Sequence, residues 1–479
     1  MSLFFISAAL LIAGYFTYGV FVDRLFKPDA NRLTPAYAHT DGVDFVPMKW
    51  PNIFLIQLLN IAGLGPIFGA LAGALWGPAA FIWIVFGCLF GGAAHDYLSG
   101  MISLRNKGAS SAEITGFYLG PTMKTLTRLF TLMLMVLVGA VFVTGPAKLL
   151  ADLTPAYLDF NFWMIAIFIY YVLATLLPID QLIGRIYPVF GLVLVIMAVG
   201  IVWGLVAGGY TLPALTLENI HPKGLPVWPL MFISIACGAI SGFHATQSPM
   251  MARCIKNERQ GRRIFYGSMV AEGLIALIWA AAGMAFYHGT PGLADAMKAS
   301  GPGGVVHTIS ISLLGKVGGA LAILGVIACP ITTGDTAFRG ARLMVADIFK
   351  ADQKPLLKRL YLAAPLFIVG GILTQMNFDI IWRYFAWANQ TLAVITLWAC
   401  AVYLVRCKKL HWVASLPATF MTAVSITYLL QAPEGFRIPV SIAYPLGAAM
   451  SVAVLGVFLA IIFPKNHGLP VDITDTRKA

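Results

Sequence analysis

Apolar residues in this chain gather into long runs separated by short polar stretches. The runs are about 20 residues long, the length at which a helix crosses the hydrocarbon core of a bilayer. They lie near 3–22, 52–75, 80–102, 129–147, 162–178, 188–208 and 228–250, then near 265–288, 318–338, 360–376, 384–405, 412–431 and 439–463. The pattern predicts an all-α polytopic membrane protein of about 13 transmembrane helices. The ninth run has an apolar stretch upstream, 305–317, where Gly315, Gly318 and Gly319 around Lys316 mark a break. Whether that break is re-entrant is left open by the pattern.

Two runs are interrupted near their centres in a matching way. The second reads NIFLIQLLNIAGLGPIFGALAGALW, with Gly63, Gly65 and Pro66 at its middle, and the seventh contains CGAISGFHATQSPM, with Gly238, Ser241, Gly242 and Pro249. Five spans separate them, so they enter the membrane from opposite faces. That is the arrangement of an inverted-topology repeat with broken helices in corresponding positions. The expected organisation is an N-terminal anchor helix and loop (1–51), a first five-helix repeat (52–208), a second (209–405), and two peripheral helices with a short tail (406–479). After the second break, Ser248 reads as an N-cap and Pro249 as the first helical residue; Pro66 plays that part after Gly65. Each restart would aim free N–H groups at the bilayer centre, a setting suited to a carboxylate. The plain alternative is a pair of Pro and Gly kinks healed by neighbouring helices. Glycines four apart (Gly69, Gly73 and Gly77; Gly200, Gly204 and Gly208) fit close helix packing.

Composition agrees with the pattern: of 479 residues, 59% are hydrophobic and 11% charged, against roughly a quarter charged in soluble domains. The net charge of +12 is not a nucleic-acid footprint, because the basic residues are spread over seven loops and tails. Twenty-six of the 32 Lys and Arg fall on one set of loops; six (Lys148, Lys223, Lys298, Lys316, Arg383 and Arg437) fall on the alternate set. The positive-inside bias therefore places the N-terminus outside and the C-terminus in the cytoplasm. The first run lacks a basic leader and is followed at once by Asp23, Arg24 and Lys27, so it reads as a retained anchor. The six cysteines form no CxxC or paired spacing, and no metal or cofactor is expected.

Ionisable groups inside spans cost about 2.5–3.5 kcal/mol on insertion scales and need a reason. His95 and Asp96 in the third span and Glu272 in the eighth lie about two turns from the basic face. They read either as a proton relay on that side or as a static cluster. His244 is more central, beside the break. Thr332, Thr333 and Asp335 bring together the hard oxygen donors a small cation prefers, although Asp335 could equally pair with Arg339. Asn389 and Gln390 suit recognition of a peptide bond, yet buried amides also join helices. The expected substrate site comprises Asn60, Gly63, Gly65, Pro66, Gly238, Ser241, Gly242, His244, Gln247, Ser248, Asn389 and Gln390. The coupling candidates are His95, Asp96, Glu272, Thr332, Thr333 and Asp335, with H+ or Na+ as the ion. Ser241 and His244 also invite an intramembrane serine protease reading, but three residues around a break do not secure a nucleophile–base bond. No Walker-type loop or HExxH is present. A membrane nutrient sensor would be expected to carry a soluble signalling domain, and the longest basic-side loop runs only from 23 to 51.

Taken in order, TPAYAHTDGVDFVPMKW, LLNIAGLGPIFGALAG, GAAHDYLSGMISLRNKGASSAEITG, ISGFHATQSPM, CPITTGDTAFRGARLM and WRYFAWANQTLA resemble the carbon starvation protein A (CstA) family of bacterial inner-membrane transporters. The likeness runs from about residue 35 to 400, and is to the shorter members without the long C-terminal extension. The resemblance implies uptake of peptides under nutrient limitation, with pyruvate taken up by some relatives, driven by protons. It also implies the LeuT-type fold of the amino acid-polyamine-organocation superfamily, with the second and seventh spans unwound around the substrate. By the same resemblance the TTGDT stretch falls near where sodium-coupled relatives bind a cation. Small peptide or small carboxylate, and H+ or Na+, stay open on the residues, as does the oligomeric state.

Overall fold

The computed structural model of the chain describes residues 1–42, 44–176, 179–216, 218–351, 355–467 and 469; for 176, 179–188, 317, 321 and 379 it describes the backbone alone. Every regular element among them is helical. The first half comprises α1 (Ser2–Phe26), α2 (Trp50–Ile61), α3 (Gly65–Trp76), α4 (Ala79–Arg105), the short α5 (Ser111–Leu119), α6 (Pro121–Leu153), α7 (Phe160–Leu176) and α8 (Ile179–Ala207). The second comprises α9 (Leu230–Ser234), α10 (His244–Ala252), α11 (Glu258–Phe286), α12 (Thr290–Phe349), α13 (Leu356–Leu373), α14 (Phe378–Arg406), α15 (Trp412–Gln431) and α16 (Val440–Asn466).

Ten of these helices are long and apolar enough to cross a membrane, eleven when α2 and α3 count as one bent span. The expected thirteen is not reached by that measure among the described residues. α7 is apolar but shorter, and the seventh run is divided into α9 and α10, too short to register alone. α1, α13 and α16 carry rows of exposed apolar side chains, such as Phe5, Ile6, Ile368, Ile372, Val452 and Ile461. In a bilayer those rows face lipid, where exposure of apolar surface costs nothing.

Local sequence explains several boundaries. α5 opens on a capping box, in which the Ser110 hydroxyl accepts from the Glu113 N–H and the Glu113 carboxylate accepts from the Ser110 N–H. Gly120, with φ of 96°, then separates it from α6. α12 turns at two left-handed glycines, Gly301 and Gly315. At Gly315, with φ of 68°, the chain reverses, so that a Cβ on Gly319 would lie 2.7 Å from the Ile311 Cα. The break expected around 315–319 is therefore a helical hairpin centred on Gly315, and Gly318 and Gly319 remain helical.

Small residues set the closest approaches. Gly139 lies under the Phe338 ring and Gly340 under Met135, so α6 and α12 run against each other along much of their length. Gly200 and Gly204 of α8 receive Leu314 and Leu313 from the hairpin. Around this frame α2, α3, α4, α10, α11 and α14 form the interior, and the buried polar residues concentrate there.

Candidate substrate and coupling site

The two interrupted spans meet at their breaks. α2 and α3 diverge by 57° across Ala62–Leu64, and the Leu64 carbonyl accepts from the N–H groups of Ile67 and Phe68 to start α3. The seventh run stops at Ser234, leaves the helical path through Ile235–Phe243 and restarts at His244. Glycines on α3 face this unwound stretch: a Cβ on Gly65 would collide with the Cβ and Sγ of Cys237, and one on Gly69 would lie 2.8 Å from the Ser234 carbonyl oxygen. The α3 glycine stripe is thus the surface on which the other break lies.

The restart differs from the expectation. Ser248 and Pro249 lie inside α10, not at its start. The first-turn amides of Ala245 and Thr246 are taken by the Gly242 and Phe243 carbonyls, and another helix fixes the residues just before them. Asn389 on α14 accepts the Phe243 N–H at 2.6 Å and the Ser241 hydroxyl at 3.0 Å through Oδ1, while its backbone carbonyl accepts the Gly242 N–H at 3.1 Å. Its amide also donates to Cys237 Sγ at 3.6 Å. Asn389 therefore holds the break together, and the Gly242 and Phe243 amides are already engaged. The Ser248 hydroxyl bonds back to the His244 carbonyl at 3.0 Å and receives Gln57 Nε2 at 3.4 Å.

Four ionisable side chains converge beside this restart. His95 Nδ1 and His244 Nδ1 each lie 2.8 Å from a different oxygen of Asp96, and His244 Nε2 lies 3.4 Å from Glu272. The last contact lacks hydrogen-bond alignment, and both Glu272 oxygens, His244 Nε2 and His95 Nε2 have no hydrogen-bond partner among the described residues. All four residues are fully buried. Sequence depth separated His244 from the other three; the fold puts them in one chain running His95, Asp96, His244, Glu272 across α4, α10 and α11. Cys237 Sγ, His244 and Glu272 also bring ligand atoms within 4.8 Å of one another and could share a metal ion, although the thiol is already tied to Asn389 and Ser241.

The other expected residues fall around this core. Asn60 is fully buried, and neither its amide atoms nor the Gln247 and Gln390 carbonyl oxygens have a hydrogen-bond partner among the described residues. Buried polar atoms of this kind call for a water, ion or ligand. Gln390 Nε2 reaches the Phe232 carbonyl at 3.4 Å. Thr332, Thr333 and Asp335 form a second group on α12: the Thr333 hydroxyl donates to the Leu59 carbonyl at 2.8 Å, and Cys329 Sγ donates to that of Ala62 at 2.5 Å. Thr333 and Cys329 thus hold the end of α2, while the Thr332 hydroxyl donates to the Cys329 carbonyl of its own helix at 2.8 Å. Ser241 and His244 form no nucleophile–base pair, since the hydroxyl is taken by Asn389 and the ring lies between Asp96 and Glu272. Gln57 and Cys237 were not singled out from sequence; the amide inside the apolar IFLIQLL was the available signal for the first.

A family profile described as carbon starvation protein CstA matches residues 1–157, 151–296 and 287–428. The chain belongs to the CstA family. Among CstA relatives, an uncharacterized membrane protein of Haemophilus influenzae is 43% identical, the match covering 62% of this chain and 94% of that one. The peptide transporter CstA of Escherichia coli strain K12 is 26% identical over 88% of this chain and 79% of its own length. The pyruvate/proton symporter BtsT of the same organism is 27% identical over 57% of this chain and 47% of its own length. The crystal structure of MhsT in complex with L-phenylalanine superposes with a TM-score of 0.56 at 15% identity, covering 85% of this chain and 97% of that one. This CstA-family protein thus has the LeuT-type fold, is embedded in the membrane, and is a transporter-family protein, not an enzyme.

Proposed function

We propose that this protein is a proton-coupled secondary transporter that takes up short peptides across the bacterial inner membrane under carbon starvation, by alternating access around the two breaks. The observation that carries the reading is the buried His95–Asp96–His244–Glu272 chain, set against the α10 restart and shared by three helices. Charge taken out of water costs several kcal/mol per ion. Gain or loss of a proton here changes whether α10 is held to α4 and α11, and so whether the broken spans can move relative to the rest. His95, Asp96, His244 and Glu272 carry the proton; Thr333, with Cys329, stabilises the end of α2.

The substrate carboxylate lies at the start of α3 near Gly63, Gly65 and Pro66, where Asn60 offers a buried amide with free donors and acceptors. Gly238, Ser241, Gly242, Gln247 and Ser248 shape the opposite wall, and Asn389 and Gln390 hold it in place. The repeats are 52–208 and 209–405, with the N-terminus outside and the basic loops in the cytoplasm, as the loop charges indicate. A second reading, a symporter for pyruvate or another small carboxylate, is favoured by the relative named for pyruvate and protons.

The test is uptake into proteoliposomes of labelled Ala-Ala and of pyruvate, each under an imposed pH gradient or a sodium gradient. Accumulation of Ala-Ala driven by the pH gradient is expected. No gradient-driven accumulation of either compound overturns the reading, and accumulation of pyruvate alone selects the second one.

A further inference from the structure

Directly beyond the first break, at the end of the bundle away from the basic loops, the structure holds a cavity of about 510 Å3, within the size range of small-molecule sites. Its floor is aromatic. Phe68 of α3 and Trp382 of α14 lie 6.3 Å apart, Trp382 packs on Phe385 at 5.4 Å, and Phe385 packs on Phe142 at 5.8 Å. The Phe142 ring in turn fills the space beside Gly63. A layer of rings therefore separates the cavity from the break below it.

The rim carries charge of both signs. Lys148 and Asp152 come from the last turns of α6, and Lys298 from α12 just before the bend at Gly301. A Cβ on Gly301 would lie 3.9 Å from Lys148 Nζ, so the ammonium reaches across the mouth. Among the described residues, none of the three side chains has an ion-pair partner. Only six Lys and Arg fall on the loops of this face, and two of them converge here. Lys148 and Asp152 are four residues apart and so lie on one face of α6, presenting opposite charges side by side.

We infer that this cavity is a separate binding site for zwitterionic short peptides, with Lys148 and Lys298 holding the carboxylate and Asp152 the terminal ammonium. The inference rests on the peptide-transport reading and gives it a basis for selectivity. A plain carboxylate is drawn by the lysines but leaves Asp152 unpaired and facing a like charge. A peptide satisfies all three groups before the aromatic floor of Phe68 and Trp382 opens toward the break.

The full chain in proteoliposomes tests this through uptake of labelled Ala-Ala with unlabelled Ala-Ala or N-acetyl-Ala-Ala as competitor. Acetylation removes the ammonium and keeps the carboxylate. In Asp152→Asn, a change at an exposed carboxylate, the preference for Ala-Ala over the acetylated peptide is expected to fall about threefold to fivefold, the upper end for one exposed charge pair. Lys298→Gln is expected to weaken both competitors alike. An unchanged preference in Asp152→Asn overturns the inference, whereas failure of the unaltered protein to accumulate Ala-Ala overturns the transport reading itself.

Discussion

Replacing Gly65 by Ala probes whether the two breaks touch. The added Cβ would overlap both the Cβ and the Sγ of Cys237. Gly65 does not have a positive φ, so its backbone accepts an alanine; the helical conformation even favours Ala over Gly by about 0.5–1 kcal/mol. The clash must therefore be relieved by Cys237, which is fully buried and whose thiol is engaged by Ser241 and Asn389. Overpacking of a tight site costs about 1–3 kcal/mol. Gly65→Ala is expected to lower the melting temperature of the detergent-purified protein, followed by intrinsic fluorescence, and to slow uptake. Cys237→Gly removes both overlapping atoms, so the double variant should recover most of what Gly65→Ala loses. Coupling of at least about 1 kcal/mol between the two sites is expected of residues in contact. If the cost of Gly65→Ala is the same with Cys237 as with Gly at that position, the breaks do not pack as described.

Three further outcomes follow from the interior. His244→Ala should abolish uptake of Ala-Ala while membrane insertion and expression stay intact; unaltered uptake would make the histidine a packing residue. Asn389→Ala should lower stability by about 1–3 kcal/mol, the cost of leaving a buried N–H such as that of Phe243 without an acceptor, measured as a fall in melting temperature beyond that of Thr391→Ala. Glu258 is buried and joins Arg105 at 3.1 Å, Arg32 at 3.3 Å and the Asp29 N–H at 2.8 Å, tying three segments on the basic-loop face. Glu258→Gln should destabilise by up to about 3–5 kcal/mol, and a stability equal to that of the unaltered protein would refute this role.

The sequence made the helical membrane fold and the two breaks legible, because these depend on hydrophobic runs and on Gly and Pro near their centres. It also marked every member of the four-residue chain. What it could not convey was azimuth. His95, Asp96 and Glu272 could be placed two turns from one face, but not on helix sides turned toward His244. The α10 start was misplaced for a related reason: Ser248–Pro249 satisfies the local capping rules, while the residues that lead into the helix are held by Asn389, far away along the chain. Cys237 read as a small packing residue, which it is; that it packs against Gly65 became visible only when both breaks had been placed. The cavity at the far end is assembled from α3, α6, α12 and α14 together, and no single run of residues announces it.

The central claim is that the His95–Asp96–His244–Glu272 chain couples protons to substrate movement. The most direct measurement loads proteoliposomes with a pH-sensitive dye, adds Ala-Ala outside in the absence of any imposed gradient, and follows internal pH. The account predicts acidification that begins with peptide addition, requires no sodium, and is lost in Asp96→Asn and Glu272→Gln. Peptide entry without acidification, or acidification that persists in both variants, would contradict it.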